Sequence, residues 1–141
     1  RRIAAIHCGR KGLEKNIISN AIKSLESMGS SRDDILVSIG PSISGDNYLL
    51  DNKTFKNFFS ANNGSFKRVN DNMNYEYNSN ENELFPLDIK KYALTQLLLE
   101  NLDPNNIDVI NKCTYSLPNE FHSFRRTKND KRQWSVICSS I

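Results

Sequence analysis

The chain has 141 residues, 38% of them hydrophobic and 25% charged, which fits one globular domain and excludes a disordered chain. A total of 19 Lys and Arg against 16 Asp and Glu leaves a formal net charge of +3, compatible with an anionic small ligand and short of the concentrated basic stripe of a nucleic-acid binder. No apolar run approaches the roughly 20 residues of a bilayer-spanning helix, no signal-peptide pattern opens the chain, and Cys8, Cys113 and Cys138 are too scattered for a disulfide framework, so a cytoplasmic setting is expected.

In chain order, residues 3–7 read as a short strand that delivers His7 to a turn holding Gly9 and Gly12. Ile17, Ile18, Ala21, Ile22, Leu25 and Met28 recur at helical spacing. A helix is therefore expected over 14–28, with Gly29 at the C-cap glycine position. Residues 34–39 read as a buried strand ending in the Gly/Pro/Ser-rich turn 40–48. Residues 60–83 are rich in Asn and poor in aliphatics and are expected to form a solvated loop or a ragged hairpin, with Tyr75 and Tyr77 alternating on one of its strands. Asp88 is a plausible N-cap for a helix over 88–101 carried by Ile89, Tyr92, Ala93, Gln96 and Leu97. Residues 107–113 and 133–139 read as two further strands. Helices and strands alternate irregularly and some strands look antiparallel, so the class expected is α+β.

Three groups of residues carry candidate chemistry. His7, at a strand end before a glycine, has the imidazole of a metal ligand or a base. Cys8 is its neighbour, but successive strand side chains face opposite ways, so Cys8 is assigned to the core. The turn Gly9-Arg10-Lys11-Gly12 offers backbone N–H groups and two cations to an anion. Phe121, Phe124, Arg125 and Arg126 combine stacking surfaces with fork-shaped donors, which suits a phosphorylated or aromatic ligand. Spacing alone gives no complete zinc site, because no paired-Cys or paired-His motif occurs. No Walker loop, no dinucleotide-binding glycine motif and no nucleophile elbow occur either.

The order of these segments resembles the laccase-domain family, whose older name is multicopper polyphenol oxidase and whose activity is that of a zinc-dependent purine nucleoside phosphorylase with adenosine deaminase activity. The family's His-Ala-Gly-Trp-Arg-Gly is similar to His7-Cys8-Gly9-Arg10-Lys11-Gly12. Its Gly-Pro-x-Ile segment is matched by Gly40-Pro41-Ser42-Ile43, with Tyr48 at the usual aromatic position. Its Cys-Thr and Phe-Phe-Ser-Tyr-Arg-Arg are matched by Cys113-Thr114 and Phe121-His122-Ser123-Phe124-Arg125-Arg126.

The resemblance implies a layered α+β sandwich of mixed sheets and flanking helices. Within it, residues 1–141 form the C-terminal part of a single domain. It implies that His7 is a catalytic zinc ligand, with a His and a Cys upstream completing the set. Arg10, Lys11 and Arg125 are expected to hold phosphate or ribose oxygens. The implied partners are purine nucleosides and phosphate, with no nucleic acid and no membrane. Copper-dependent phenol oxidation is one alternative, and a catalytically incomplete binding module is the other. The family's Trp and Arg are replaced by Arg10 and Lys11, and Lys lacks the bidentate fork of Arg. Neither Cys113 nor His122 matches a ligand position.

Overall fold

The computed structural model describes residues 2–61 and 83–139. Most of the expected 60–83 loop, residues 62–82, lies outside the described residues.

The first expected helix forms as two. Helix α1 (Arg10–Glu14) starts four residues early with Gly9 as N-cap. Helix α2 (Ile17–Ser27) follows after Asn16, which sits in the left-handed region at φ 54°. Asn tolerates that conformation better than most residues, so the chain turns there instead of running straight on. Helix α2 buries Ile18 and Ile22, and Ile17 and Leu25 pack against the same core. Its end is a Schellman arrangement: Gly29 N–H donates to Glu26 O at 2.8 Å and Ser30 N–H to Leu25 O at 3.0 Å. Gly29 has φ 85°, which a residue without Cβ adopts at little cost.

Strand β1 (Val37–Ile39) pairs in parallel with β4 (Ile107–Val109), Val37 opposite Ile107. Strand β2 (Leu49–Asp51) pairs antiparallel with β3 (Leu84–Pro86), Leu50 opposite Phe85. Helix α3 (Asn52–Ala61) follows β2 directly, and α4 (Ile89–Leu99) follows β3. A last short helix, α5 (Phe124–Thr127), follows β4. The fold is thus a mixed α/β arrangement of small parallel and antiparallel sheets with helices against them.

Helix α3 is absent from the sequence expectations, although its signals are local. Asp51 Oδ1 accepts from Thr54 N–H at 2.8 Å and caps the first turn. Phe55, Phe58 and Phe59 follow at helical spacing. Phe55 stacks on Phe85 with centroids 4.8 Å apart, and Phe58 meets Tyr92 edge-on at 5.1 Å. Each buried aromatic contributes about 1.5–3 kcal/mol by burial, and such pairs add about 0.5–1.5 kcal/mol. Helix α4 forms as expected, because Asp88 Oδ1 accepts from Lys90 and Lys91 N–H, both at 3.1 Å. Helix α1 packs against α2, α3 and α4 together, which leaves Leu13 fully buried.

Two expected strands do not form. Residues 2–9 and 131–139 carry no strand pairing. Ile3 is 48% exposed and Trp134 92%. A strand exists by its ladder hydrogen bonds, and neither apolar run finds a partner among the described residues.

Candidate functional site

The entry segment passes close to α1, and Gly9 leaves room for the His7 ring. A Cβ on Gly9 would lie 3.0 Å from His7 Nε2, and a Cβ on Gly12 would lie 3.4 Å from the His7 carbonyl oxygen. The imidazole therefore rests on Gly9 while the His7 backbone passes Gly12. The bare backbone of Gly9 is the surface on which the His7 ring lies.

Beside it opens a cleft of about 430 Å³ lined by His7, Gly9, Arg10, Lys11, Gly12 and Tyr48. Three residues expected from the sequence, His7, Arg10 and Lys11, thus meet at one place. Arg10 forms an ion pair with Glu14 one turn along α1, which offsets part of its charge. Lys11 is exposed and brings the less compensated cation. With only five residues, α1 has little aligned dipole, so the positive character of the cleft rests on these side chains.

Arg125 does not line the cleft but reaches it through Tyr48, its guanidinium carbon 4.9 Å from the Tyr48 ring centroid. The adjacent Arg126 has a different task. Its guanidinium donates to Thr114 O at 2.9 Å, Tyr115 O at 2.6 Å and Phe121 O at 2.7 Å, closing the loop that carries Arg125. Phe124 lies under Lys128 and Arg132, at 5.7 and 5.5 Å, and His122 is exposed. Neither lines the cleft.

Tyr48 is held by a node the sequence reading did not find. Beyond β1 and β4 the parallel pairing slips by one residue, so that Ser42 bridges Cys113. The extra residue is taken up where Lys112 N–H donates to Ile110 O at 2.9 Å. The buried Lys90 ammonium holds that bend through Ile110 O at 3.4 Å, Asn111 Oδ1 at 3.4 Å and Lys112 O at 3.2 Å. Cys113 Sγ then accepts from Ser44 N–H at 3.3 Å and Ser44 Oγ at 3.2 Å. Asn47 Nδ2 joins Ser44 Oγ at 2.9 Å to Ser116 Oγ at 3.0 Å. Burial pushes the Cys113 thiol up, but hydrogen bonds from Ser116 and Ser44 outweigh it and bring the pKa down to about 6. Cys8 is the opposite case: burial alone pushes its thiol up to about 11, and it packs against the core as expected.

A tetrahedral zinc ion takes three or four protein donors, or three and a water. Among the described residues no group of three His, Cys, Asp or Glu side chains converges. His7 is one donor, and the neighbouring Cys8 stays a protonated thiol. The described residues do not by themselves fit zinc. No described helix is long and apolar enough to cross a membrane.

Comparison with known proteins follows the same lines. The family model described as multi-copper polyphenol oxidoreductase laccase matches residues 1–140. A purine nucleoside phosphorylase of Synechocystis is 28% identical over 149 residues, covering 99% of this chain and 56% of the relative. One from Aquifex aeolicus is 33% identical over 135 residues, covering 96% and 55%. Among solved structures, YlmD from Geobacillus stearothermophilus superposes with a TM-score of 0.66 at 21% identity, covering 85% of this chain and 42% of that one. The Bacillus licheniformis protein YfiH gives 0.62 at 20% identity, covering 85% and 43%. The two structures share the fold. The chain spans about half the length of the curated relatives it matches.

Proposed function

The chain belongs to the multi-copper polyphenol oxidoreductase laccase family, and from that premise we propose that its cleft binds a purine nucleoside and phosphate and serves nucleoside phosphorolysis. The observation that carries this reading is the meeting of His7, Arg10, Lys11 and Tyr48 around one cleft, in a chain whose relatives are named purine nucleoside phosphorylase.

In phosphorolysis a phosphate oxygen bonds to the ribose anomeric carbon. The bond from that carbon to the purine nitrogen breaks, and its electron pair leaves with the base. Lys11 and Arg10 hold the phosphate or ribose oxygens by charge-assisted hydrogen bonds. His7 faces the cleft as the group that hydrogen-bonds the departing purine or passes it a proton. Arg125 contributes through the Tyr48 ring. Zinc enters this reading only as a proposal about His7: one imidazole donor to an ion whose other donors would come from outside the described residues.

The test is product analysis on the full natural chain, with inosine and adenosine, with and without phosphate, alongside bound-metal content. Free base and ribose 1-phosphate that appear only with phosphate support the reading. Ammonia released from adenosine adds the deamination that the family resemblance implies. Diphenol oxidation with bound copper, and no release of base, would overturn it.

A further inference from the structure

Resting on the nucleoside reading above, we propose that Tyr48 is the surface on which the purine base stacks and that Arg125 is a positioning residue that orients the Tyr48 ring. The cleft divides its labour by chemistry. His7, Arg10 and Lys11 are polar groups suited to oxygen and nitrogen atoms, and Gly9 and Gly12 have no side chain. Of the lining residues, Tyr48 carries the large aromatic ring; it packs partly on the core and the Arg125 guanidinium lies over it, so the base takes the part of the ring that remains toward the cleft. A purine nucleoside divides the same way, into a π face and a ring of ribose oxygens, with an anion as co-substrate. The phosphate and ribose go to the cations, which leaves the base to Tyr48. Base stacking on aromatic side chains is tolerant of the base's identity, because every base has a π face.

The ring is also prepared for this task. Tyr48 N–H donates to Gly45 O at 3.0 Å, and its carbonyl accepts from Leu87 N–H at 2.9 Å. The preceding Asn47 is tied to Ser44 and Ser116. The backbone is therefore fixed on both sides, and only the side-chain torsions remain to be set. The Arg125 guanidinium over the ring restrains them, and a planar guanidinium stacks there where an ammonium acts as a point charge. In this proposal Arg125, expected from the sequence to hold phosphate or ribose oxygens, acts through the Tyr48 ring.

The experiment compares Tyr48→Leu, Tyr48→Phe, Arg125→Gln and Arg125→Lys in the full natural chain, reading KM for inosine, kcat, and separately the Kd of inorganic phosphate. Tyr48→Leu is expected to raise the inosine KM about tenfold or more, with the phosphate Kd within twofold. Tyr48→Phe keeps the ring and stays near wild type. Arg125→Gln raises the inosine KM severalfold at unchanged kcat, and Arg125→Lys recovers part of it. An unchanged inosine KM in Tyr48→Leu, equal losses in Tyr48→Phe and Tyr48→Leu, or a matching loss of phosphate binding would overturn the proposal. If Tyr48→Leu does not fold, Tyr48→Trp replaces it: the larger ring is expected to keep or tighten inosine binding, and weakened binding overturns the proposal. Direct calorimetric titration with inosine keeps the two questions apart. A protein that binds inosine through Tyr48 yet releases no base contradicts the phosphorolysis reading and leaves the stacking surface standing.

Discussion

Replacing Gly9 by Ala separates the position of His7 from the stability of the fold. Gly9 has φ −89° and ψ 176°, extended backbone that alanine adopts without strain. The new methyl would lie 3.0 Å from His7 Nε2 and 3.7 Å from the two flanking ring carbons. The 3.0 Å approach is tighter than ordinary contact, so the ring must withdraw by a few tenths of an ångström. His7 is exposed, and the withdrawal meets no packed wall. Stability is affected by two small opposed effects. Gly-to-Ala lowers the entropy of the unfolded chain, a gain of about 0.4–1 kcal/mol. Alanine is a poorer N-cap than glycine, a loss of about 0.5–1 kcal/mol. They cancel to within about 0.5 kcal/mol, or roughly 2 °C in Tm for a chain of this size. Catalytic geometry is less forgiving, since a shift of 1 Å can cost about a hundredfold in rate. Gly9→Ala should therefore lower kcat/KM for phosphate-dependent base release severalfold, up to about tenfold, with Tm almost unchanged, read by steady-state kinetics beside thermal denaturation. Full activity at unchanged Tm would refute the argument that His7 works from the position it holds over Gly9.

Asp88→Ala removes the cap from Lys90 and Lys91 N–H and should cost about 1 kcal/mol, seen as a Tm fall of about 4 °C; no change would mean the cap contributes nothing. Lys90→Met removes the ammonium's bonds to the Ile110 and Lys112 carbonyls, which keep Lys112 N–H and Ser42 N–H as donors, and should destabilise by about 0.5–1.5 kcal/mol in urea, whereas a more stable variant would show that the bend does not need the ammonium. Cys113 should alkylate with a midpoint near pH 6 and Cys8 near pH 11, followed residue by residue by mass spectrometry. Ser44→Ala should move the Cys113 midpoint upward, because it removes one donor to the sulfur; reaction only above pH 8 in the wild type would contradict the node. The same depressed pKa makes stability rise from about pH 6 toward the thiol's ordinary 9.0 and fall away as pH drops through 6.

What the sequence reveals here is what depends on neighbours along the chain. Helix α4 is legible because Asp88, Tyr92, Ala93, Gln96 and Leu97 state the cap and the buried face within a few turns. His7, Arg10 and Lys11 are legible as a group because one short turn carries them all. Helix α3 was legible too: Asp51 before Thr54, then Phe55, Phe58 and Phe59, spell a capped amphipathic helix among Asn and Lys residues that mask it. The split between α1 and α2 depends on one Asn in a left-handed conformation, which the apolar periodicity does not register. The runs 3–7 and 133–139 have strand composition, but a strand is fixed by its partner, and composition does not supply one. The contact of Arg125 with Tyr48 joins segments far apart in the chain, Arg126 closes its own loop, and the lowered Cys113 pKa follows from the parallel bridge that brings Ser44 to Cys113. Only the folded chain brings those residues together.

The central claim is that the cleft over Gly9 and Gly12 is where a purine nucleoside is cleaved by phosphate. The most direct measurement is the rate of base release from inosine, with and without phosphate, by the full natural chain and its His7→Ala variant, with phosphate Kd measured on both. Release that requires phosphate is expected, with a loss of at least about a hundredfold in His7→Ala and the phosphate Kd within a few fold of wild type. Equal rates from the two proteins would contradict it and move the chemistry away from this cleft.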